Sequence, residues 1–208
     1  MKRRAIVWFR QDLRLHDNEA LINALRMAEE VIPVYVFDER VMLGHTRFGL
    51  RKTGKHRARF IMESVDDLQR NLRGIGSDLV VRSGTPETIL PEIVQRFKSS
   101  WVFCNRERTQ EEVTVQDTLE KNLWLYGAEL LYSRGKMLYH TQDLPMPVQH
   151  TPDIFTQFRK ENEEITPVRP PLPTPSAMPP LRPPTARTTS SATARPHREI
   201  PARPSAPT

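Results

Sequence analysis

Arg10, Asp12, Arg14 and Asp17 form the first group in the chain whose residue types and spacing point to chemistry. They follow the apolar run Ala5 to Phe9, and Asn18 stands behind them in the position of a helix N-cap. Opposite charges so closely spaced make a lattice that pins a loop, either against the body of its own domain or against a second one. A second group is Thr109-Gln110-Glu111-Glu112. Its T-x-x-E spacing is that of a capping box, in which Glu112 reaches back to the Thr109 amide. The third group is basic: Arg47, Arg51, Lys52, Lys55, His56, Arg57 and Arg59 lead into a helical pattern. Cations at a helix N-terminus oppose its dipole at roughly 0.3 kcal/mol each. The cluster therefore suggests an anionic partner, either phosphates or acidic residues of another domain, with a solvated basic loop as the plain alternative. Cys104 is the only cysteine, which excludes an intramolecular disulfide and a thiolate zinc site. It ends an apolar run and reads as a small core residue. Trp8, Trp101 and Trp124 could suggest electron hopping, but two fall in expected strands and one on a helix face, so core packing is the better reading.

The elements that must carry these groups follow from periodicity. Strands are expected at Ala5 to Phe9, Val31 to Phe37, Asp78 to Arg82, Trp101 to Cys104 and Glu129 to Tyr132. Helical spacing links Leu21, Leu25 and Ala28; Ala58, Ile61, Val65, Leu68 and Leu72; Ile89, Ile93 and Phe97; and Val115, Leu119, Leu123 and Tyr126. Thr85-Pro86-Glu87 has the form of an N-cap with proline at the first helical position, and Gly74 and Gly127 sit where left-handed caps would end helices. Strands alternating with helices predict an α/β fold, a doubly wound five-stranded parallel sheet. Such sheets bind ligands at the carboxyl ends of the strands. The loops at those ends are Arg10 to Asp17, Asp38 to Thr53, Ser83 to Thr85 and Asn105 to Thr109. None holds a GxGxxG or a Walker lysine loop, so common dinucleotide and P-loop chemistry has no support.

Composition divides the chain. Thirteen of its 19 prolines lie between Pro167 and Pro207. The first 165 residues carry 25 basic and 24 acidic groups, so most of the net charge of +6 belongs to the arginines of the end segment. A high isoelectric point here is weak evidence for a nucleic-acid binder. The expected organisation is an α/β domain over residues 1–135, the start of an interdomain linker over 136–165, and a disordered Pro/Arg-rich tail over 166–208. No apolar run approaches the ~18 residues that span a bilayer, and the stretch behind the basic N-terminus is too short for a signal peptide. A cytoplasmic protein without membrane partners is expected.

The run Trp8-Phe9-Arg10-Gln11-Asp12-Leu13-Arg14-Leu15-His16-Asp17-Asn18 resembles the opening of DNA photolyases and cryptochromes. Thr46-Arg47-Phe48-Gly49, Lys52-Thr53-Gly54, Arg106-Glu107, Leu138-Tyr139-His140 and Thr151-Pro152-Asp153-Ile154-Phe155-Thr156-Gln157-Phe158-Arg159-Lys160 are similar to the DASH branch of cryptochromes. Met146 stands where that branch often has phenylalanine. The likeness covers about Arg4 to Pro175.

The resemblance implies a Rossmann-like N-terminal domain that helps hold a light-harvesting antenna, usually 5,10-methenyltetrahydrofolate. It places the folate-binding carboxylate at Glu112, with Glu111 beside it, and leaves His45 able to stack on or bond to a pterin. The capping role of Glu112 stays open beside that one. FAD and the handling of damaged DNA belong, in full-length members, to a helical domain whose residues have no match here. The resemblance thus implies an antenna domain of a blue-light, FAD-dependent DNA repair or photoreceptor protein, not catalytic by itself and binding folate weakly. DNA contact, if any, would run through the basic loop Arg47 to Arg59 or the arginine-rich tail. A stand-alone nucleotide- or folate-binding module and an inert remnant are the alternatives. From about Ser176 the chain is expected to be a frameshifted or degenerate end, in keeping with a truncated family member.

Overall fold

The computed structural model describes residues 3–135 and 137–180. Five parallel strands, β1 (Arg4–Phe9), β2 (Glu30–Asp38), β3 (Val80–Gly84), β4 (Trp101–Asn105) and β5 (Glu129–Ser133), lie in the order β3-β2-β1-β4-β5. Successive side chains of β1 face opposite sides: Ala5, Val7 and Phe9 join one core layer, Ile6 and Trp8 the other. Both layers are dry, which is why β1 and β2 read as unbroken apolar runs instead of alternating ones. The first layer is closed by α1 (Glu19–Met27) and α3 (Lys55–Gly74), through Leu21, Ala24, Val65, Leu68 and Leu72. The second is closed by α4 (Pro86–Phe97) and α5 (Gln110–Trp124), through Leu90, Val94, Leu119 and Leu123. A short helix, α2 (Glu39–Met42), follows β2 directly. The α/β fold and the five-stranded parallel sheet are those expected, and the five strands coincide with the expected runs to within two residues at either end.

Two prolines test the ladders. Pro33 pairs with Val7, and β3 joins β2 only from the next residue, Val34. Pro91 lies inside α4 and removes the N–H that would have met the Glu87 carbonyl. Asn122 of α5 fills that vacancy, its amide donating to the Glu87 oxygen at 2.8 Å. A proline that would weaken one helix thus ties two together.

Local differences from the sequence reading have local causes. Helix α3 runs through Gly74, and the left-handed residue of its end is Gly76 (φ +91°), with Ser77 N–H bonded to the Leu72 carbonyl. Gly127 does take a left-handed turn (φ +67°). Helix α5 stops at Trp124, and its buried stripe is Gln116, Leu119 and Leu123. Trp124 is one residue past Leu123, about 100° round the helix, and is 70% exposed. The core-packing reading therefore holds for Trp8, partly for Trp101, and is corrected for Trp124; Tyr126, expected on the same stripe, is also exposed.

Residues 155–165, within the stretch expected as linker, form α6 (Phe155–Ile165), which buries only Asn162. The tail was expected to begin at Thr166, yet the chain from there to Pro180 returns along the domain. Arg169 clamps Asp143 with two bonds, Leu172 exchanges two hydrogen bonds with Asp17, and Met178 donates its N–H to the Ile75 carbonyl. Met178 enters the first core layer at 5% exposure. The composition of this stretch concealed a single apolar residue placed to plug a gap. The remaining expectation of a disordered tail falls on residues 181–208, outside the described residues.

Replacing Asn122 with Ala leaves the Glu87 carbonyl without its donor and should cost about 1–2 kcal/mol in urea denaturation, with an unchanged m value. Met178→Ala should cost about 2 kcal/mol or more by the same measurement, since it opens a cavity in the first core layer.

Candidate functional site

The β1 to α1 loop is organised by Asp12, only 5% exposed. One carboxylate oxygen accepts the Arg10 N–H at 2.8 Å; the other accepts the side-chain amides of Asn18 and Asn105. Asn18 also caps α1, accepting the Leu21 N–H at 3.0 Å. Asn105, at the end of β4, accepts the Gly135 N–H. The charge lattice of this loop therefore pins it to its own domain. Arg14 and Asp17 pair only locally at 3.4 Å, while Asp17 holds Leu172.

With the loop fixed, Arg10 is aimed across the carboxyl end of the sheet. Its guanidinium lies 4.4 Å from the Trp8 ring centre and donates to Gln116 at 2.7 Å. Gln116 in turn accepts the Glu107 N–H and donates to the Glu107 carbonyl, fixing the β4 to α5 loop. Beside this corner opens a cleft of about 400 Å³. Trp8, Tyr35, Val36, Ile61 and Val115 supply its apolar and aromatic surface. Burial pushes the Tyr35 hydroxyl above its usual range, against the opposing charge of Arg57, so it remains a neutral phenol.

The polar groups of the cleft are largely spoken for. Arg40 makes bidentate contacts with Asp38 (2.7 and 2.9 Å) and with Glu87 (2.6 and 2.9 Å). Those hydrogen bonds, Asp38 first and then Glu87, hold the guanidinium charge even more firmly than usual. Lys52 pairs with Glu111 at 2.7 Å. Glu112 differs from the other cleft carboxylates, because its partner among the described residues is a neutral group, the Thr109 hydroxyl at 2.8 Å. Thr109 is the N-cap residue of α5, but its side chain caps no amide. Glu112 thus turns back onto Thr109 as a capping box would, yet reaches the hydroxyl. Both glutamates stand in the first turn of α5, where the helix dipole favours a carboxylate.

Glu111 and Glu112 are therefore brought together on one cleft wall, and His45 is not. His45 sits exposed in a hairpin, bridged to Arg51. The Asp38, Arg40 and Glu87 cluster went unread in the sequence. Its signal was position: Asp38 ends a strand, Arg40 lies in the short helix α2 directly behind it, and Glu87 stands in the first turn of the helix after the neighbouring strand. Cys104, wholly buried behind Trp8, has its thiol pushed by burial from 9.0 to about 12, with Arg10 pulling weakly the other way. Among the described residues no cluster of ligating side chains could hold a metal ion, and no helix is long and apolar enough to cross a membrane.

A doubly wound parallel sheet with a ligand-sized cleft at its carboxyl end defines a Rossmann-like binding domain. The chain belongs to the DNA photolyase family, whose model matches residues 5–177. It is similar to the cryptochrome DASH of Gloeobacter violaceus, 43% identical over 176 residues, covering 85% of this chain and 35% of that protein. It is also similar to the blue-light photoreceptor PHR2 of Arabidopsis thaliana, 39% identical, covering 79% of this chain and 37% of that one. The crystal structure of the Synechocystis cryptochrome superposes with a TM-score of 0.82 at 38% identity, covering 86% of this chain and 38% of that structure. The chain spans about a third of the length of these relatives, and the matched part is the N-terminal α/β domain.

The Cys104 thiol should not react with Ellman's reagent at pH 8 while the protein is folded, and labelling should instead follow the rate of unfolding. Because the folded state raises this thiol, its contribution to stability is complete below pH 9 and is lost as the pH rises from 9 toward 12. Cys104→Ser should flatten that alkaline part of the stability curve.

Proposed function

We propose that this chain is an antenna-chromophore domain of cryptochrome DASH type, and that its cleft takes the heteroaromatic ring of a folate such as 5,10-methenyltetrahydrofolate. The observation that carries this reading is the state of the cleft's charges. Arg40 and Lys52 are already compensated by carboxylates, and Arg10 is committed to Gln116 and the Trp8 face. A phosphate would have to break one of these bonds before it gained a partner. A flat, uncharged ring meets no such cost, and the cleft wall includes the nearly buried rings of Trp8 and Tyr35 beside Val36, Ile61 and Val115. Glu112 keeps a carboxylate oxygen free to accept N–H groups from the edge of a pterin, which is the charge-assisted bond that would orient it. Glu111, held by Lys52, has the smaller part, and His45 stands too far out in its hairpin to be needed.

The chemistry of the whole protein follows in the same reading. FAD, blue-light excitation and the handling of pyrimidine dimers in DNA fall, in this reading, to a helical domain outside the residues of this chain, which spans about a third of the length of its relatives. The α/β domain gathers light and passes the energy on; it supplies no bond-breaking group.

Methenyltetrahydrofolate titrated into the chain should quench and shift as it binds, weakly because one wall of the cleft faces solvent. Glu112→Gln should weaken it about tenfold, the loss expected of a charge-assisted hydrogen bond, while Glu111→Gln changes it less and ATP does not compete. Equal folate affinity for the native chain and the Glu112 variant, or effective competition by ATP, would overturn the proposal.

A further inference from the structure

The amino ends of the strands carry a surface that the cleft, at their carboxyl ends, does not use. Trp124, Leu125 and Tyr126 follow one another there at 70%, 81% and 47% exposure. Three large apolar side chains in succession exceed the scattered single exposures of an ordinary surface. Trp124 and Trp101, the first residue of β4, line one open recess with Ser100, Gly127, Ala128 and Glu129, the first residue of β5.

Carboxylates border this recess. Asp117 and Glu120 stand two turns and one turn before Trp124 and share its side of α5. Asn122 points the other way, to the Glu87 carbonyl of α4. Asp117 and Glu120 therefore lie toward β5, where burial first, then Cys104 and Glu120, and less strongly Asp117, hold the Tyr132 hydroxyl above its usual range against Arg106. Asp117, Glu120 and Glu129 meet no cation within ion-pair distance among the described residues. Lys121 is the one ammonium on the last two turns of α5, so negative charge predominates.

Indole surface beside unpaired carboxylates is the chemistry that receives an arginine next to a proline. The proline ring packs on an indole with little conformational freedom to lose, and the guanidinium forks onto a carboxylate. The chain supplies such steps itself, at Arg182-Pro183, Arg195-Pro196 and Arg203-Pro204, and residues 181–208 carry five arginines against Glu199 alone. Distance selects among them. Met178 is bonded to Ile75, the residue after α3, on the amino side of β3. From β3 to β5 is four strand spacings, roughly 19 Å at ~4.8 Å each. A proline-rich chain covers that in about six residues at ~3.1 Å each. Arg182-Pro183 falls short of the recess, whereas Arg195-Pro196 and Arg203-Pro204 lie within reach.

We propose that the recess at Trp101 and Trp124 receives an arginine-proline step from this chain's own residues 195–204, with the proline on the indoles and the arginines on Glu120 and Glu129. A segment expected to be a degenerate end thereby has a use on its own domain. The same carboxylates would repel a phosphate backbone. A second copy meeting this surface about a two-fold axis would set carboxylate against carboxylate. Tethering supplies the segment at roughly millimolar effective concentration, which suits a shallow contact. The recess and the cleft share no residue, so docking here and folate binding stand or fall separately.

The test is paramagnetic broadening in the full chain. Ser205→Cys places a nitroxide beside Arg203-Pro204, and buried Cys104 leaves the new thiol as the reactive one. The indole N–H signal of Trp124 should lose intensity relative to the reduced label, while that of buried Trp8, toward the carboxyl end of β1, keeps it. Arg195→Gln/Arg203→Gln should restore the Trp124 signal, as should Pro196→Ala/Pro204→Ala and Glu120→Gln/Glu129→Gln. Melting curves of the glutamate variant should match the parent, since neither side chain belongs to a core layer. The proposal is overturned if Trp124 is unaffected in the labelled parent, or if its broadening persists in the arginine, proline or glutamate variant. Broadening of equal size when isotope-labelled parent is mixed with nitroxide-labelled chain of natural isotope abundance would place the segment on a neighbouring molecule and overturn it too.

Discussion

The carboxylate of Asp12 is the group on which the rest of the site is hung. A buried charge is tolerated only when its hydrogen bonds are complete, and Asp12 achieves this without a cation, through a backbone N–H and two side-chain amides. Each donor comes from a different element, so satisfying the charge brings the end of β1, the start of α1 and the end of β4 to one point. From there the constraint passes outward. Asn18 starts α1, Asn105 holds the turn after β5, and the fixed loop sets Arg10 over Trp8 and against Gln116. Gln116 then fixes the loop that leads into α5 and its two glutamates. Removing the carboxylate would leave the Arg10 N–H and the Asn105 amide unmet at the junction where the strand order reverses, while Asn18 would keep the Arg14 carbonyl.

The surface around this junction separates two electrostatic regimes a few residues apart. Within the cleft, guanidinium and ammonium groups meet carboxylates in close, partly bidentate contacts, and the site presents aromatic walls with little net field. On the hairpin and the start of α3, Arg47, Arg51, Lys55 and Arg57 meet no carboxylate among the described residues, and Phe48 and Phe60 stand exposed beside them. Lys52 is the hinge between the regimes. It belongs to the basic sequence cluster, yet its ammonium has crossed to Glu111 and become part of the cleft.

Much of this architecture was legible because the layers are dry on both sides. Continuous apolar runs marked β1 and β2, three-and-four spacing marked α3 and α5, and Thr85-Pro86-Glu87 marked the start of α4. The family opening from Trp8 to Asn18 also pointed at the right loop. It did not say that Asp12 would be satisfied by amides and Arg10 by Gln116, because Asn105 and Gln116 lie about a hundred residues away and depend on sheet order. Trp124 is exposed because it lies one residue past Leu123, off the buried stripe, which the presence of a tryptophan on a helix does not reveal. Met178 was invisible for a related reason: one apolar residue among prolines has no periodicity, and only the gap beside Ile75 and Gly76 gives it meaning. Arg40 with Asp38 on one side and Glu87 on the other joins two segments that no linear pattern connects.

That late apolar residue bears on how the polypeptide matures during its synthesis. Folding of a nascent chain proceeds from its N-terminal end as residues emerge, and by the time β5 has appeared every strand of the sheet is present. The layer formed by α1 and α3 is nonetheless still open at one corner, and Leu172 has yet to meet Asp17. Until residue 178 has cleared the ribosome, the domain is a complete sheet with an unsealed face, and that interval is when an attendant chaperone would find apolar surface to hold.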